Sequence, residues 1–198
     1  MYLKNIMNVK IVGDGVFGRF LTCELSPFCN IVDDADIVIL AVPFDAYEQV
    51  ASNHANKHLI NVCSIQQPTN DICLAYSDRV TGIHPLFGPN SGVFDRTCLL
   101  TLETVDSEPI IKLFGYICSN ILREFNEKPL TGEIHDVIMS ITHKPMIELR
   151  ETISEIIKTA DKIPDEYVPT SFKTLRSFYE QFGDVSDGTK DSILANRY

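Results

Sequence analysis

His84 is the side chain on which chemistry would turn. It lies in Thr81-Gly82-Ile83-His84-Pro85-Leu86-Phe87-Gly88-Pro89-Asn90-Ser91-Gly92, where one imidazole is set among three glycines and two prolines. An unperturbed imidazole titrates near pH 6.5 and can act as a general base at neutrality. Prolines remove N–H donors and fix φ, so the stretch reads as a constrained loop, neither a helix nor a central strand. Loops of that kind often carry function. A second constellation lies near the start of the chain, at Gly13-Asp14-Gly15-Val16-Phe17-Gly18. In a G-x-G-x-x-G run the first glycine permits a tight turn, the second lets backbone approach a pyrophosphate, and the third lets helix pack on strand. The helix N-terminus then offers free N–H groups and a positive dipole end. The motif is specific only between a strand and a helix. Here it follows Asn8 to Gly13, which reads as a short buried strand, and precedes Arg19 to Leu25, which can be helical. Gly13, Gly15, Val16, Phe17 and Gly18 are therefore candidate contacts to a dinucleotide.

The elements that must position these groups alternate between strand and helix. Asp36 to Pro43 and Leu59 to Cys63 read as buried strands, with a helix over 45–56 between them. In open α/β sheets ligands bind beyond the carboxyl ends of the strands. Val42 and Pro43, Ser64 and His84 each end or follow an apolar run, so they can converge on one crevice. Asp71 to Tyr76 reads as a short helix, Arg79 to Gly82 as a short strand, and Thr97 to Leu102 as another strand. Glu108 to Ile121 has helical periodicity, and Leu122 to Phe125 reads as a last strand. After Lys128 strand alternation stops. A helix over 132–163 is interrupted near Pro145, a second runs from Thr170 to Phe182 and ends at Gly183, and a third covers Ser186 to Asn196. The fold class is thus a Rossmann-like, mostly parallel α/β sheet over 1–128, followed by a small all-helical part over 129–198. So thin a helical part makes a poor core alone, which favours a homodimer through these helices.

One element does not fit. A ribose-binding acidic residue belongs about 20 residues after the first glycine, at the end of a second strand. Asp33 has that spacing, yet Asp33-Asp34-Ala35 runs straight into the strand at Asp36. Parallel neighbours need a crossover of about a dozen residues, so the second strand and its helix are expected to be missing.

Bulk properties narrow the class. The 198 residues carry 44% hydrophobic and 22% charged side chains, an ordinary globular balance. No apolar run approaches the roughly 18 residues of a membrane span, and no signal peptide is read, so a cytoplasmic location is expected. A net charge of −10 argues against a nucleic-acid partner. It leaves room for a small anionic ligand held by local donors. The six cysteines form no C-x-x-C pair and no zinc-ligand spacing, so they read as reduced thiols and no metal site is expected.

The chain resembles the prephenate/arogenate dehydrogenase (TyrA) family. The resemblance rests on Gly13 to Gly18, on Ala35 to Pro43, on Val62-Cys63-Ser64-Ile65, and most specifically on Gly82-Ile83-His84-Pro85-Leu86-Phe87-Gly88-Pro89. His135-Asp136 followed by Met139 is similar to the family's His-Asp-x-x-Met, and Phe182-Gly183-Asp184 is similar to its C-terminal end. The resemblance implies oxidative decarboxylation of prephenate or arogenate with NAD or NADP. It makes His84 the base that takes the ring-hydroxyl proton and Ser64 the residue that orients it. It places His135, Ser64 and Gly88 at the substrate. Four features depart from the family: Gln66 replaces the usual lysine, the second-strand region is short, the helical part is about half the usual extent, and no arginine matches the substrate-carboxylate ligand. Arg150 is the candidate that the residues themselves offer. His143 follows His135 by eight residues, about two helical turns, so both can face one cleft; a surface or packing role is the commoner one for such a residue. Two other readings stay open: a reduced relative that binds a nucleotide or small ligand without turnover, and a dehydrogenase of another small acid.

Overall fold

The structure, a computed structural model, describes residues 7–89, 91, 96–181, 190, 193 and 194. The sequence features at Phe182-Gly183-Asp184, and most of the helix expected over 186–196, lie outside the described residues. In chain order the elements are β1 (Asn8–Val12), α1 (Val16–Leu25), β2 (Asn30–Ile31), β3 (Ile37–Leu40), α2 (Tyr47–Asn53), β4 (His58–Asn61), α3 (Gln67–Tyr76), β5 (Val80–Pro85), β6 (Thr97–Glu103), α4 (Ser107–Gly115), β7 (Asn120–Leu122), β8 (Glu124–Phe125), β9 (Lys128–Pro129), α5 (Gly132–Ala160) and α6 (Thr170–Gln181). Seven strands form one sheet in the order β2-β1-β3-β4-β5-β6-β7. Within that sheet only the β5–β6 pairing is antiparallel. This is the Rossmann-like sheet expected, followed by helices.

Both faces of the sheet are covered, which is why its central strands are apolar throughout. Val9, Ile39, Ile60 and Ile83 pack with Leu21 and Leu25 of α1 and with Ile110 and Phe114 of α4. On the other face Val38, Leu40 and Leu59 pack with Tyr47 and Ala51 of α2 and Cys73 of α3. Alternation along β3 assigns successive residues to opposite layers.

The second strand is present, contrary to expectation, but holds two residues. Asn30 and Ile31 pair in parallel with Asn8 and Val9, and Ile37 of β3 pairs with Val9 from the other side. A strand this short leaves the chain almost level with the start of β3. No helix is then needed to carry it back, and residues 32–36 suffice. Asp33 is exposed just past the end of β2.

His84 is on a strand, not in a loop. Pro85 is tolerated because it is the last residue of β5, and the register of β5 on β6 shifts between Gly82 and Ile83, where the pairing has a bulge. Gly82 is required there: a Cβ would stand 2.5 Å from Asn70 Oδ1 and 2.7 Å from Thr101 Oγ1. The long helix also departs from its sequence reading, since α5 runs unbroken through Pro145. Proline cannot donate to the carbonyl four residues earlier; that residue is Ile141, which is exposed, so water can satisfy the carbonyl.

The start of α5 docks on the start of α3. Asp136 is fully buried and accepts the backbone N–H of Gln66 at 2.7 Å and that of Gln67 at 2.9 Å. Its carboxylate thus caps α3, whose own N-cap residue makes no side-chain cap. Gly132 allows the approach, because a Cβ would lie 2.8 Å from the Gln67 backbone. Leu130 and Met139 then pack on Leu99 of β6. Removing the carboxylate strands buried donors on both helices. Asp136→Ala should therefore lower the unfolding free energy by about 3–5 kcal/mol, read as an earlier urea midpoint; a loss under about 1 kcal/mol would show that the contact does not hold α5 in place.

Candidate active site

Four candidate groups sit at the same edge of the sheet, because β1, β3, β4 and β5 run parallel to one another. Their carboxyl ends lead into Gly13 to Gly18, into Val42 and Pro43, into Ser64, and out of β5 at His84 and Pro85. Gly13 has φ +120°, a conformation that favours glycine, and a Cβ there would lie 2.1 Å from the Ala41 carbonyl oxygen. A Cβ on Gly18 would lie 2.0 Å from the Gly13 carbonyl oxygen. These two glycines are therefore closed in by backbone. Gly15 has nothing within 4 Å of its missing Cβ. It is the N-cap of α1, which has no side-chain cap and no acidic residue in its first turn. The first amides of α1, at Val16 and Phe17, open beside that gap. Tight packing at the outer glycines and open space at the middle one fit a pyrophosphate seated on the helix N-terminus.

A chain of buried hydrogen bonds reaches this edge from α5. His135 Nδ1 lies 2.8 Å from Asp136 Oδ1, and His135 Nε2 lies 2.7 Å from His84 Nδ1. His135 and Asp136 are both fully buried, and His84 is 6% exposed. The carboxylate only accepts, so His135 donates through Nδ1 and, as a neutral ring, presents the lone pair of Nε2. His84 must then donate through Nδ1. The one nitrogen left with a free lone pair is His84 Nε2. The relay thereby fixes both tautomers and leaves a base. The ring of His143 stands 6.5 Å from that of His84. Among the described residues no group of three His, Cys, Asp or Glu side chains is placed to hold a metal ion.

The electrostatics keep this base neutral. Burial, and then the neighbouring His135 and His143, hold the His84 imidazole well below its ordinary value. Burial and His135 lower His143 as well. At the opposite end of the sheet burial lowers His58, whose Nε2 is 2.9 Å from Thr81 Oγ1.

Several side chains have roles that their sequence positions did not suggest. Ser64 is half-buried at the end of β4, but the hydrogen-bonded partner of His84 is His135, not Ser64. His135, expected at the substrate, is fully buried with its Nε2 against His84 Nδ1, where the docking of α5 places it. Gly88 is half-buried, and its amide donates to Ser91 Oγ at 3.1 Å. Gln66 does not face the crevice. It is fully buried, donating to the Cys63 carbonyl at 2.6 Å and accepting from Thr101 Oγ1 at 2.5 Å. Arg150 lies over the ring of Tyr179, 4.9 Å from its centroid, between α5 and α6. Asp136 was legible only as half of a motif. His143 had a signal in its two-turn spacing from His135, and its ring does come to the site.

No protein-family model matches the sequence, and no curated protein matches it. Solved structures do. A prephenate dehydrogenase from A. aeolicus, solved with hydroxyphenyl propionate and NAD+, superposes with a TM-score of 0.67 at 15% identity, over 98% of this chain and 84% of that one. An arogenate dehydrogenase from Synechocystis gives 0.57 at 16% identity, over 96% and 84%. A pyrroline carboxylate reductase from Plasmodium falciparum, solved with NADP bound, gives 0.53 at 13%, over 89% and 75%. These likenesses establish the fold, a Rossmann-like sheet with C-terminal helices. Among the described residues no helix is long and apolar enough to cross a membrane.

Two predictions follow from this geometry. Gly18→Ala sets a Cβ against backbone and should lose roughly 3 kcal/mol of stability, whereas Gly15→Ala should stay within about 1 kcal/mol; equal losses in chemical denaturation would contradict the packing described. The second concerns pH. His58, His84 and His143 bind protons less readily folded than unfolded, where imidazole titrates near pH 6.5. Their contribution to stability is complete above about pH 6.5 and is lost as pH falls below it. The urea midpoint should drop between about pH 7.5 and pH 5.5, and less steeply in His84→Asn. A midpoint that rises on acidification would refute this.

Proposed function

We propose that the chain is a compact NAD(P)-dependent dehydrogenase of the prephenate/arogenate type, which oxidatively decarboxylates a ring-hydroxylated acid with His84 as base. The observation that carries this reading is the buried Asp136–His135–His84 relay, which ends at the same edge of the sheet as an open glycine cradle. The motif resemblance around His84 and the likeness to prephenate and arogenate dehydrogenases support it. When bound, the nicotinamide would supply the hydride acceptor. The chain's own residues do the rest. Gly15 and the first amides of α1 hold the pyrophosphate, with Val42 and Pro43 bordering the cofactor. His84 Nε2 accepts the proton of the ring hydroxyl. The charge that develops on its ring faces His135, which is backed by the Asp136 carboxylate, much as a carboxylate backs the histidine of a hydrolase triad. A weakly basic imidazole suffices, since loss of CO2 and aromatisation drive the reaction. Ser64 and Gly88 border the substrate. The helical part, 129–198, completes the substrate side and pairs two copies, a role supported by the exposed apolar residues Ile141, Leu149 and Ile156 along α5.

The second reading, binding without turnover, is favoured by the two-residue β2, which leaves little wall around an adenosine. The test separates the two. NAD+ or NADP+ at millimolar concentration should raise the melting temperature, and prephenate or arogenate should then drive formation of reduced nicotinamide. Binding without that signal supports the second reading, and no thermal shift defeats both. His84→Asn should lower kcat/KM by about 10²–10⁴-fold while sparing the thermal shift. Because His84 is held below the ordinary imidazole value, the acidic limb of the kcat/KM profile should lie below about pH 6.5. A limb above that value, or full turnover in His84→Asn, would remove His84 from the role of base.

A further inference from the structure

Asp33, Asp34 and Asp36 fall in the link between β2 and β3. In a dinucleotide-binding sheet the acid that follows the second strand accepts the adenosine ribose 2′-hydroxyl, beyond the carboxyl ends of the strands. Here β2 stops well before that edge. Ile31 pairs with Val9, and the Val32 amide donates to the Val9 carbonyl at 2.9 Å. Val32 is thus level with Lys10, three residues short of Gly13, a gap of about 10 Å along an extended strand. The chain then turns back to the amino edge. Asp34 Oδ1 lies 3.6 Å from Lys57 Nζ, and the Asp36 carbonyl accepts the His58 amide at 2.8 Å. His58 opens β4, and its register on Ile37 sets it level with Val9, near the start of β1. The Asp36 carboxylate is held by Arg79 in a bidentate pair at 2.7 and 3.0 Å. One residue advances the chain by at most about 3.8 Å, so Asp33, tied between Val32 and Asp36, does not reach the cradle. The charged side chains of the cradle itself are one acid and one base. Asp14 is exposed, and Arg19, also exposed, donates to the Asp14 carbonyl.

We propose that this site does not read the 2′-position of the adenosine ribose, so that the chain takes NAD+ and NADP+ with nearly equal affinity. The proposal rests on the pyrophosphate cradle of the preceding section. The two cofactors share the pyrophosphate, which Gly15 and the first amides of α1 hold, and they differ only in a 2′-hydroxyl against a 2′-phosphate. Selection for NAD+ needs a carboxylate that accepts from the hydroxyl and repels the phosphate. Like charges set against each other in this way cost about a hundredfold in affinity or more. The acids that the spacing offers for that task are carried to the opposite edge of the sheet. Selection for NADP+ needs a cation turned to the phosphate, and the Arg19 guanidinium is turned onto the loop carbonyl. Among the described residues neither device stands on the β2 side of the cradle.

Isothermal titration of the full chain with NAD+ and with NADP+ tests this, with no substrate present and no turnover required. The two Kd values should agree within about fivefold, the span of one exposed charge contact. Asp33→Asn and Asp34→Asn should each leave the ratio of the two values as it is in wild type. Both side chains are exposed, so neither substitution disturbs the core. A wider gap between the cofactors, in either direction, would overturn the proposal and leave the cradle standing, since binding itself would have been seen. A ratio that moves towards NADP+ in Asp33→Asn would also overturn it, because that is the mark of a ribose carboxylate. Binding of neither cofactor would defeat the cradle and the proposal together. The wild-type titrations decide even if a variant fails to fold.

Discussion

The carboxylate of Asp136 serves two buried demands at once. It accepts the amides that open α3, and it accepts the ring N–H of His135. A charge with no exposed surface persists only when its lone pairs are filled by donors, and here three N–H groups from two segments fill them. The first pair fixes where α5 meets the sheet. The third fixes the tautomer of His135 and, through it, that of His84. Docking of the helical part and orientation of the His84 ring are therefore one interaction. A chain that failed to place α5 would lose the orientation of His84 even with β5 intact.

Around that carboxylate the sheet edge is lined with satisfied polar groups. Asn61 Nδ2 bonds Thr69 Oγ1 at 2.7 Å and Asn70 Oδ1 at 2.8 Å, and Tyr47 donates to Asn61 Oδ1 at 2.9 Å. Gln66 and Thr101 extend the network to Gly82. Such a network is specific because each member left unpaired would be penalised in a low-dielectric interior. It sets α3 on the ends of β4 and β5. The amides that Asp136 must reach are held by the same residues that position β5.

How much of this could be read from sequence depended on the range of the forces involved. β1, β3 and β4 were legible because strands covered on both faces are continuous apolar runs. The cradle was legible because glycine is required at Gly13 and Gly18 for local steric reasons. His84 stood out as a candidate, but its strand did not, since Pro85 and Gly82 mimic a loop until the bulge and the strand end accommodate them. β2 escaped because two residues make no pattern. Pro145 read as a break because sequence does not tell whether the orphaned carbonyl meets water. The contact of His84 with His135 escaped for a related reason. The contacts that decide it join residues about seventy positions apart, with no local periodicity to announce them.

Net charge also misleads if taken as a field acting at the cradle. The chain carries −10 overall, which by itself would repel a dinucleotide. The local arrangement runs the other way. The first turn of α1 has no acidic residue, its amides are uncapped by any side chain, and Arg19 donates to the Asp14 carbonyl at the same loop. Asp14 is exposed, so solvent screens it, whereas helix-terminal N–H groups act on an anion at hydrogen-bond distance. At physiological ionic strength fields from charges beyond about 8 Å are largely screened. The surface charge therefore governs solubility and approach, and the few groups within that distance govern whether a phosphate stays. An acidic protein can hold an anionic cofactor on these terms, provided that its acidic residues are kept out of the first turn of one helix, as they are here.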